Sequence, residues 1–148
     1  MKILNNPVYT IRNFSLLYPR NDQPILLKGA LEIREKDTLL LSGNSGSGKT
    51  SLLYTLKGLI PEIIWGKLGG TIHFQNKDIS NLSPLEKAQI GLLFQNPASQ
   101  MVNRTVRQEL AFGLENLGMP PSDIWQKIGY LAEEFDVSKL MNREVTRL

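Results

Sequence analysis

Cysteine is absent from these 148 residues, and histidine occurs once, at His73. The first absence excludes disulfides and thiolate metal sites and leaves the redox compartment open. The second makes a metal site built on side-chain nitrogens a poor expectation, and the strand-like surroundings of His73 give it a structural role. Long apolar runs are missing too. The longest, such as Leu39-Leu40-Leu41, fall far short of a bilayer's thickness. The opening MKILNNPVYTIRNF holds no apolar core of signal-peptide length, so the expected compartment is the cytosol. Lysines and arginines are scattered, with no basic run interleaved with aromatics. The net charge of +3 therefore carries no nucleic-acid footprint.

What is present is ordinary for a globular protein, with 41% apolar and 21% charged residues. Val8 to Phe14 alternates apolar and polar residues and predicts a half-buried strand. A turn, Pro19 to Pro24, leads to a second strand from Ile25 to Arg34, antiparallel to the first. Thr38 to Ser42 and Gly91 to Gln95 are short apolar runs of the kind that form strands buried on both faces. Between them, Lys49 to Ile60 places Leu52, Leu53, Leu56, Leu59 and Ile60 at helical spacing, ending before Pro61. Gly69 to Gln75 predicts a strand that turns at Asn76-Lys77. Ser83 caps a helix with Pro84 in its first position. Thr105 with Gln108 forms a capping box, followed by Leu110, Leu114 and Leu117 on one helical face up to Gly118. After Pro120-Pro121, Ser122 is the expected cap of a last helix running to about Phe135. Strands dominate before residue 100 and helices after it.

The stretch Ser42-Gly43-Asn44-Ser45-Gly46-Ser47-Gly48-Lys49-Thr50-Ser51 fits G-x-x-x-x-G-K-[ST]. Glycines allow positive φ angles that turn successive N–H groups inward as an anion nest. The helix that follows aims its free N–H groups and its positive dipole end at the same point. Lys49 can reach the β and γ phosphates of a nucleotide, and Thr50 offers a hydroxyl to Mg2+. The loop alone does not choose a reaction. A guanine-reading N-K-x-D is missed by one residue at Asn76-Lys77-Asp78, and no D-x-x-G is present.

The surroundings are more selective. The loop as GNSGSGKTS resembles the form found in ATP-binding cassette (ABC) proteins, and Gly91 to Gln100 (GLLFQNPASQ) resembles that family's Q-loop. Thr105 to Asn116 (TVRQELAFGLEN) is similar to the start of its helical subdomain, in the form closest to the ATPase subunits of energy-coupling factor importers of vitamins or transition-metal ions. The resemblance spans essentially the whole chain. It implies an α/β, P-loop fold with an antiparallel β subdomain, an incomplete parallel core sheet and the start of a helical subdomain. The core would occupy residues 1–104 and the helical part 105–148. Tyr18, in Leu17-Tyr18-Pro19, matches the aromatic that stacks on adenine, and Gln95 the glutamine that meets Mg2+ and the attacking water and relays to the membrane subunit. ATP and Mg2+ would be held by Gly43, Asn44, Ser45, Gly46, Ser47, Gly48, Lys49, Thr50 and Ser51. Thr50-Ser51 inverts the family's usual Ser-Thr order but keeps both hydroxyls. The implied partners are a second ATPase subunit or domain, in a dimer, and a transmembrane coupling subunit reached through the Q-loop region. The implied location is the inner face of the cell membrane, with the chain peripheral.

Phosphoryl transfer also needs a carboxylate for Mg2+ and a group to orient water. In this family the first is an Asp after four apolar residues, and no such pattern occurs here; Glu133-Glu134-Phe135-Asp136 has the wrong one. Asn142 to Leu148 resembles the lead-in to the family signature LSGGQ, with Leu148 as its first residue. The resemblance thus implies the front portion of a longer protein, able to hold ATP but deficient in hydrolysis. Strands that would flank Leu39–Leu41 and Leu92–Phe94 belong to the later part, so those runs are expected to lack ladder partners. Two other readings stay open. A soluble P-loop kinase would use Arg104 or Arg107 as lid arginines, and a non-catalytic nucleotide-binding fragment would need neither.

Overall fold

Tyr9–Leu17 forms strand β1, in which Tyr9, Ile11, Phe14 and Leu16 are buried. The step from Ile11 to Phe14 is three residues rather than two: at Asn13, φ +49°, the register shifts, with the additional residue on β1 where it faces Lys67–Phe74 and on the other strand where it faces Ile25–Ile33. Both neighbours accommodate this bulge. On one side Gly29 donates its N–H to Asn13 Oδ1 at 3.3 Å. On the other, Gly70 stands so close that a Cβ there would overlap the carbonyl oxygens of Arg12 and Asn13. With φ at +81°, this position needs glycine on both counts. Strand β2 is Ile25–Ile33 and β3 is Lys67–Phe74; both pair antiparallel with β1. Gln75 and Asn76, at φ +49° and +65°, make a two-residue turn into the short β4, Lys77–Asp78. The sheet order is β2-β1-β3-β4, and His73 sits within it opposite Thr10 and Asp78.

The computed structural model describes residues 7–148, which divide after Leu92 into two compact units. In the first, helix α1, Lys49–Lys57, lays Leu52 and Leu56 on the sheet, and Tyr9 Oη donates to the Leu56 carbonyl at 3.0 Å. Each fully buried aliphatic or aromatic side chain in this core contributes about 1.5–3 kcal/mol. The helix ends three residues earlier than its apolar spacing suggests. Gly58, at φ +80°, and Leu59 donate back to the Thr55 and Tyr54 carbonyls and close it. Ile60 is only 1% exposed and joins the core from beyond that cap, so its apolar character reflects burial rather than helix. Lys57 Nζ donates to the carbonyls of Lys87 and Ile90, tying the end of α1 to the far end of α2, Pro84–Ala88. Helix α2 starts as expected, with Ser83 capping, Pro84 at its first position and a reciprocal Glu86.

In the second unit, helices α3, Val106–Asn116, and α4, Pro121–Glu134, pack through Val106, Ala111, Ile124, Ile128 and Ala132. The Thr105–Gln108 capping box forms. The last segment of the chain also closes the start of α3. Val106 and Arg107 donate their free first-turn N–H groups to the carbonyls of Arg143 and Met141. The expected Ser122 cap is a correction. Pro120 takes that place, Pro121 fills the first helical position, and Ser122 lies inside the helix with its hydroxyl on Asp123. Proline's fixed φ and missing N–H suit that first position better than a capping hydroxyl one residue later.

The two short apolar runs are a second correction. Neither Thr38–Ser42 nor Gly91–Gln95 is a strand, and every strand pair among the described residues is antiparallel. Leu39, Leu40 and Leu93 are exposed, Leu40 at 89%. A run of apolar residues becomes a strand only where a neighbour completes its ladder.

Candidate functional site

The glycine loop runs from β2's side of the sheet into α1. Gly43, Gly46 and Gly48 have φ of +153°, +79° and +93°, and Ser47 donates its N–H to the Asn44 carbonyl at 3.2 Å. This alternation curls the backbone around the point where α1 begins. The N–H of Leu52 is the first to return inside the helix, to the Gly48 carbonyl at 2.9 Å. Those of Lys49, Thr50 and Ser51 are the first-turn donors that α1 itself does not use. Lys49 Nζ folds over the same loop, 2.8 Å from the carbonyl oxygens of Gly43 and Asn44 and 3.3 Å from Ser47 Oγ. One cation and three helix-start N–H groups thus converge on one concave stretch of backbone. Such a set fits an anion with several oxygens, and a phosphate chain most closely.

Asn44, Ser45, Ser47 and Thr50 are exposed along this loop, while Gly48, Lys49 and Ser51 are half-buried. The exposed Thr50 hydroxyl is available to a hydrated divalent cation. Behind the loop, Ile25 fills the space where a Cβ on Gly48 would stand. A cleft of about 210 Å3 opens there, lined by the apolar Phe14, Ile25 and Leu52 and by Gly43, Ser47 and Lys49 of the loop itself.

Tyr18 and the loop are brought together. Tyr18 follows directly on β1, half-buried against the core, and its hydroxyl donates to Ser51 Oγ at 3.0 Å. Gln95 belongs to the second unit, where it is exposed beside the single turn Pro97–Gln100. In that unit both candidate lid arginines are already engaged. Arg104 is paired with Glu144, at 2.6 and 3.0 Å, and the Arg107 guanidinium lies 5.4 Å from the centre of the Trp125 ring. No group of three or more His, Cys, Asp or Glu that could hold a metal occurs among the described residues. Nor is any helix among them long and apolar enough to cross a membrane.

Sequence reasoning missed Ile25, which backs Gly48 from a strand 23 positions away, and the bond by which Ser51, itself an expected loop residue, accepts from Tyr18 33 positions away. Neither relation leaves a local signature.

Comparison with known proteins follows the same lines. The ABC transporter family profile matches residues 27–148. An ABC transporter ATP-binding protein of Sulfurisphaera tokodaii is 34% identical over 139 residues, 93% of this chain and 29% of that protein. One from Methanosarcina mazei is 33% identical over 92% of this chain and 23% of its own length. One from Pyrococcus horikoshii is 38% identical over 82% of this chain and 43% of its own. The chain therefore spans under a third of the first two relatives and under half of the third. Among solved structures, cbiO1 of Clostridium perfringens, part of the ABC transporter complex cbiONQ, is similar with a TM-score of 0.76. At 23% identity, covering 97% of this chain and 56% of that one, it shows a shared fold.

Proposed function

This chain belongs to the ABC transporter family, and we propose that it binds Mg-ATP on the Gly43–Ser51 loop as part of the motor subunit of an importer. The observation that carries this is the convergence of Lys49 Nζ and the first-turn N–H groups of α1 on one curled loop. A cation beside phosphate oxygens is worth about 4 kcal/mol per charge pair at an effective dielectric of 20, and the N–H groups add hydrogen bonds that need no rearrangement. Tyr18 would stack on the adenine. Thr50 would hold Mg2+, which neutralises charge on the phosphate oxygens when bound, and Gln95 keeps the role that the family resemblance gives it.

Within the family, the sequence form FQNPASQ followed by TVRQELAFGLEN favours an energy-coupling factor importer of a vitamin or metal ion. On this reading the protein works at the inner face of the membrane. It pairs with a second ATPase subunit or domain and reaches a transmembrane subunit through the Gln95 region. These residues hold the nucleotide without turning it over, because the carboxylate that would share Mg2+ with Thr50 is not among them. The kinase alternative loses support, since Arg104 and Arg107 are committed to Glu144 and Trp125.

Calorimetry with Mg-ATP on the wild-type chain and on Lys49→Ala tests the proposal. Binding by the wild type, at least tenfold weakened in the variant and with no turnover above background, is the expected result. A folded wild type that takes up no Mg-ATP, or a variant that binds equally well, would overturn it.

A further inference from the structure

Ser51 sits one residue beyond the exposed Thr50, yet its surroundings are different. Its carbonyl accepts from Thr55 Oγ1 at 2.8 Å, and Thr55 is fully buried, so the backbone at Ser51 is fixed from inside the core. Its hydroxyl faces the other way and accepts from Tyr18 Oη at 3.0 Å. Tyr18 itself follows Leu17, the last residue of β1, two positions after the buried Leu16, and its carbonyl accepts from Asn21 N–H at 3.2 Å to form the following turn. The tyrosine backbone is thus held by a strand and a turn. The far end of its ring is held by α1.

A serine hydroxyl has one proton to give and two lone pairs to receive with. Having accepted from Tyr18, Ser51 keeps its own proton for a further acceptor at the helix start. We propose that Ser51 is a positioning residue for Tyr18, joining base recognition and phosphate recognition in one hydrogen-bonded line: tyrosine hydroxyl to serine hydroxyl to phosphate oxygen. Each bond in such a line polarises the next. This rests on the reading that Tyr18 meets a purine and the Gly43–Ser51 loop meets phosphates. It adds that the two do not act independently.

The test compares Mg-ATP with Mg-tripolyphosphate, which shares the phosphates and lacks the base. Affinities of both are measured by calorimetry on the full chain for wild type, Tyr18→Phe, Ser51→Ala, the double variant and Ser51→Thr. One hydrogen bond is worth about 2- to 13-fold in affinity. The ratio of ATP to tripolyphosphate affinity is therefore expected to fall about 3- to 10-fold in Tyr18→Phe and in Ser51→Ala. It should fall no further in the double variant, the mark of a shared interaction. Ser51→Thr, which keeps the hydroxyl, should return the ratio to near its wild-type value.

An unchanged ratio in Tyr18→Phe overturns the proposal, and so do additive losses in the double variant. Equal weakening of both ligands by Ser51→Ala assigns Ser51 to the phosphates alone and also defeats it. Should Ser51→Ala fail to fold, Tyr18→Phe and Ser51→Thr decide the matter between them. The parent reading fails differently. There, wild type binds ATP no tighter than tripolyphosphate, or Lys49→Ala leaves both unchanged.

Discussion

A Cβ on Gly48 would overlap the γ-methyl of Ile25 and crowd its Cγ1 and Cδ1 at 3.3 and 3.2 Å. The glycine at the start of α1 is therefore fixed twice. Its φ of +93° disfavours any side chain, and strand β2 occupies the volume one would need. Gly48→Ala is expected to cost about 1–3 kcal/mol from backbone strain, with the overlap added. Urea unfolding checks this. Gly48→Ala with Ile25→Ala should lose less than the sum of the two single changes, because truncating Ile25 frees the space but not the φ. Strict additivity would show that the crowding is not felt.

The Ser83–Glu86 box gives a pH signature. Lys77 Nζ lies 2.8 and 2.9 Å from the Glu86 carboxylate, and Ser83 donates both its N–H and its hydroxyl to the same group at 2.7 Å. The lysine, then the serine bonds, lower the carboxyl from 4.5 to about 2. In the pH range between those values the unfolded chain binds the proton and the folded chain does not. Stability from this group is thus complete above pH 4.5 and lost as pH falls toward 2. Thermal melts of wild type and Glu86→Gln should differ at pH 6 by an amount that shrinks steadily toward pH 2. A difference that does not vary with pH would remove the carboxylate from the account.

Helix capping separates two hydroxyls that sequence treats alike. Thr105 Oγ1 accepts from Gln108 N–H, while the Gln108 side chain accepts from Thr105. Ser122 makes no such contact with its helix. Thr105→Ala should lower stability by about 1 kcal/mol, and Ser122→Ala should change it by less than about 0.5 kcal/mol. Chemical denaturation midpoints are the measure, and comparable losses from both would restore Ser122 as a cap.

Much of this was legible from residues that act locally. Thr105 and Gln108, Ser83 and Pro84, and the turn near Asn76-Lys77 each satisfy backbone groups within a few positions, so their pattern is their structure. The glycine loop is of the same kind, since its chemistry lies in ten consecutive residues. What could not be read depends on partners remote in sequence. Leu39 to Leu41 and Leu92 to Phe94 have the composition of strands, but a strand is a relation between two segments. Ile60 carries helical spacing yet lies past the Gly58 cap, because burial in the core demands the same residue type. The meeting of Tyr18 with Ser51 belongs to this second class.

Leu40 keeps 89% of its surface in water, within a five-residue run, Thr38 to Ser42, that carries neither charge nor proline. Such a segment is attracted to its own likeness on another molecule. Light scattering that climbs with concentration for the wild type, and climbs less steeply for Leu40→Lys, is the expected outcome.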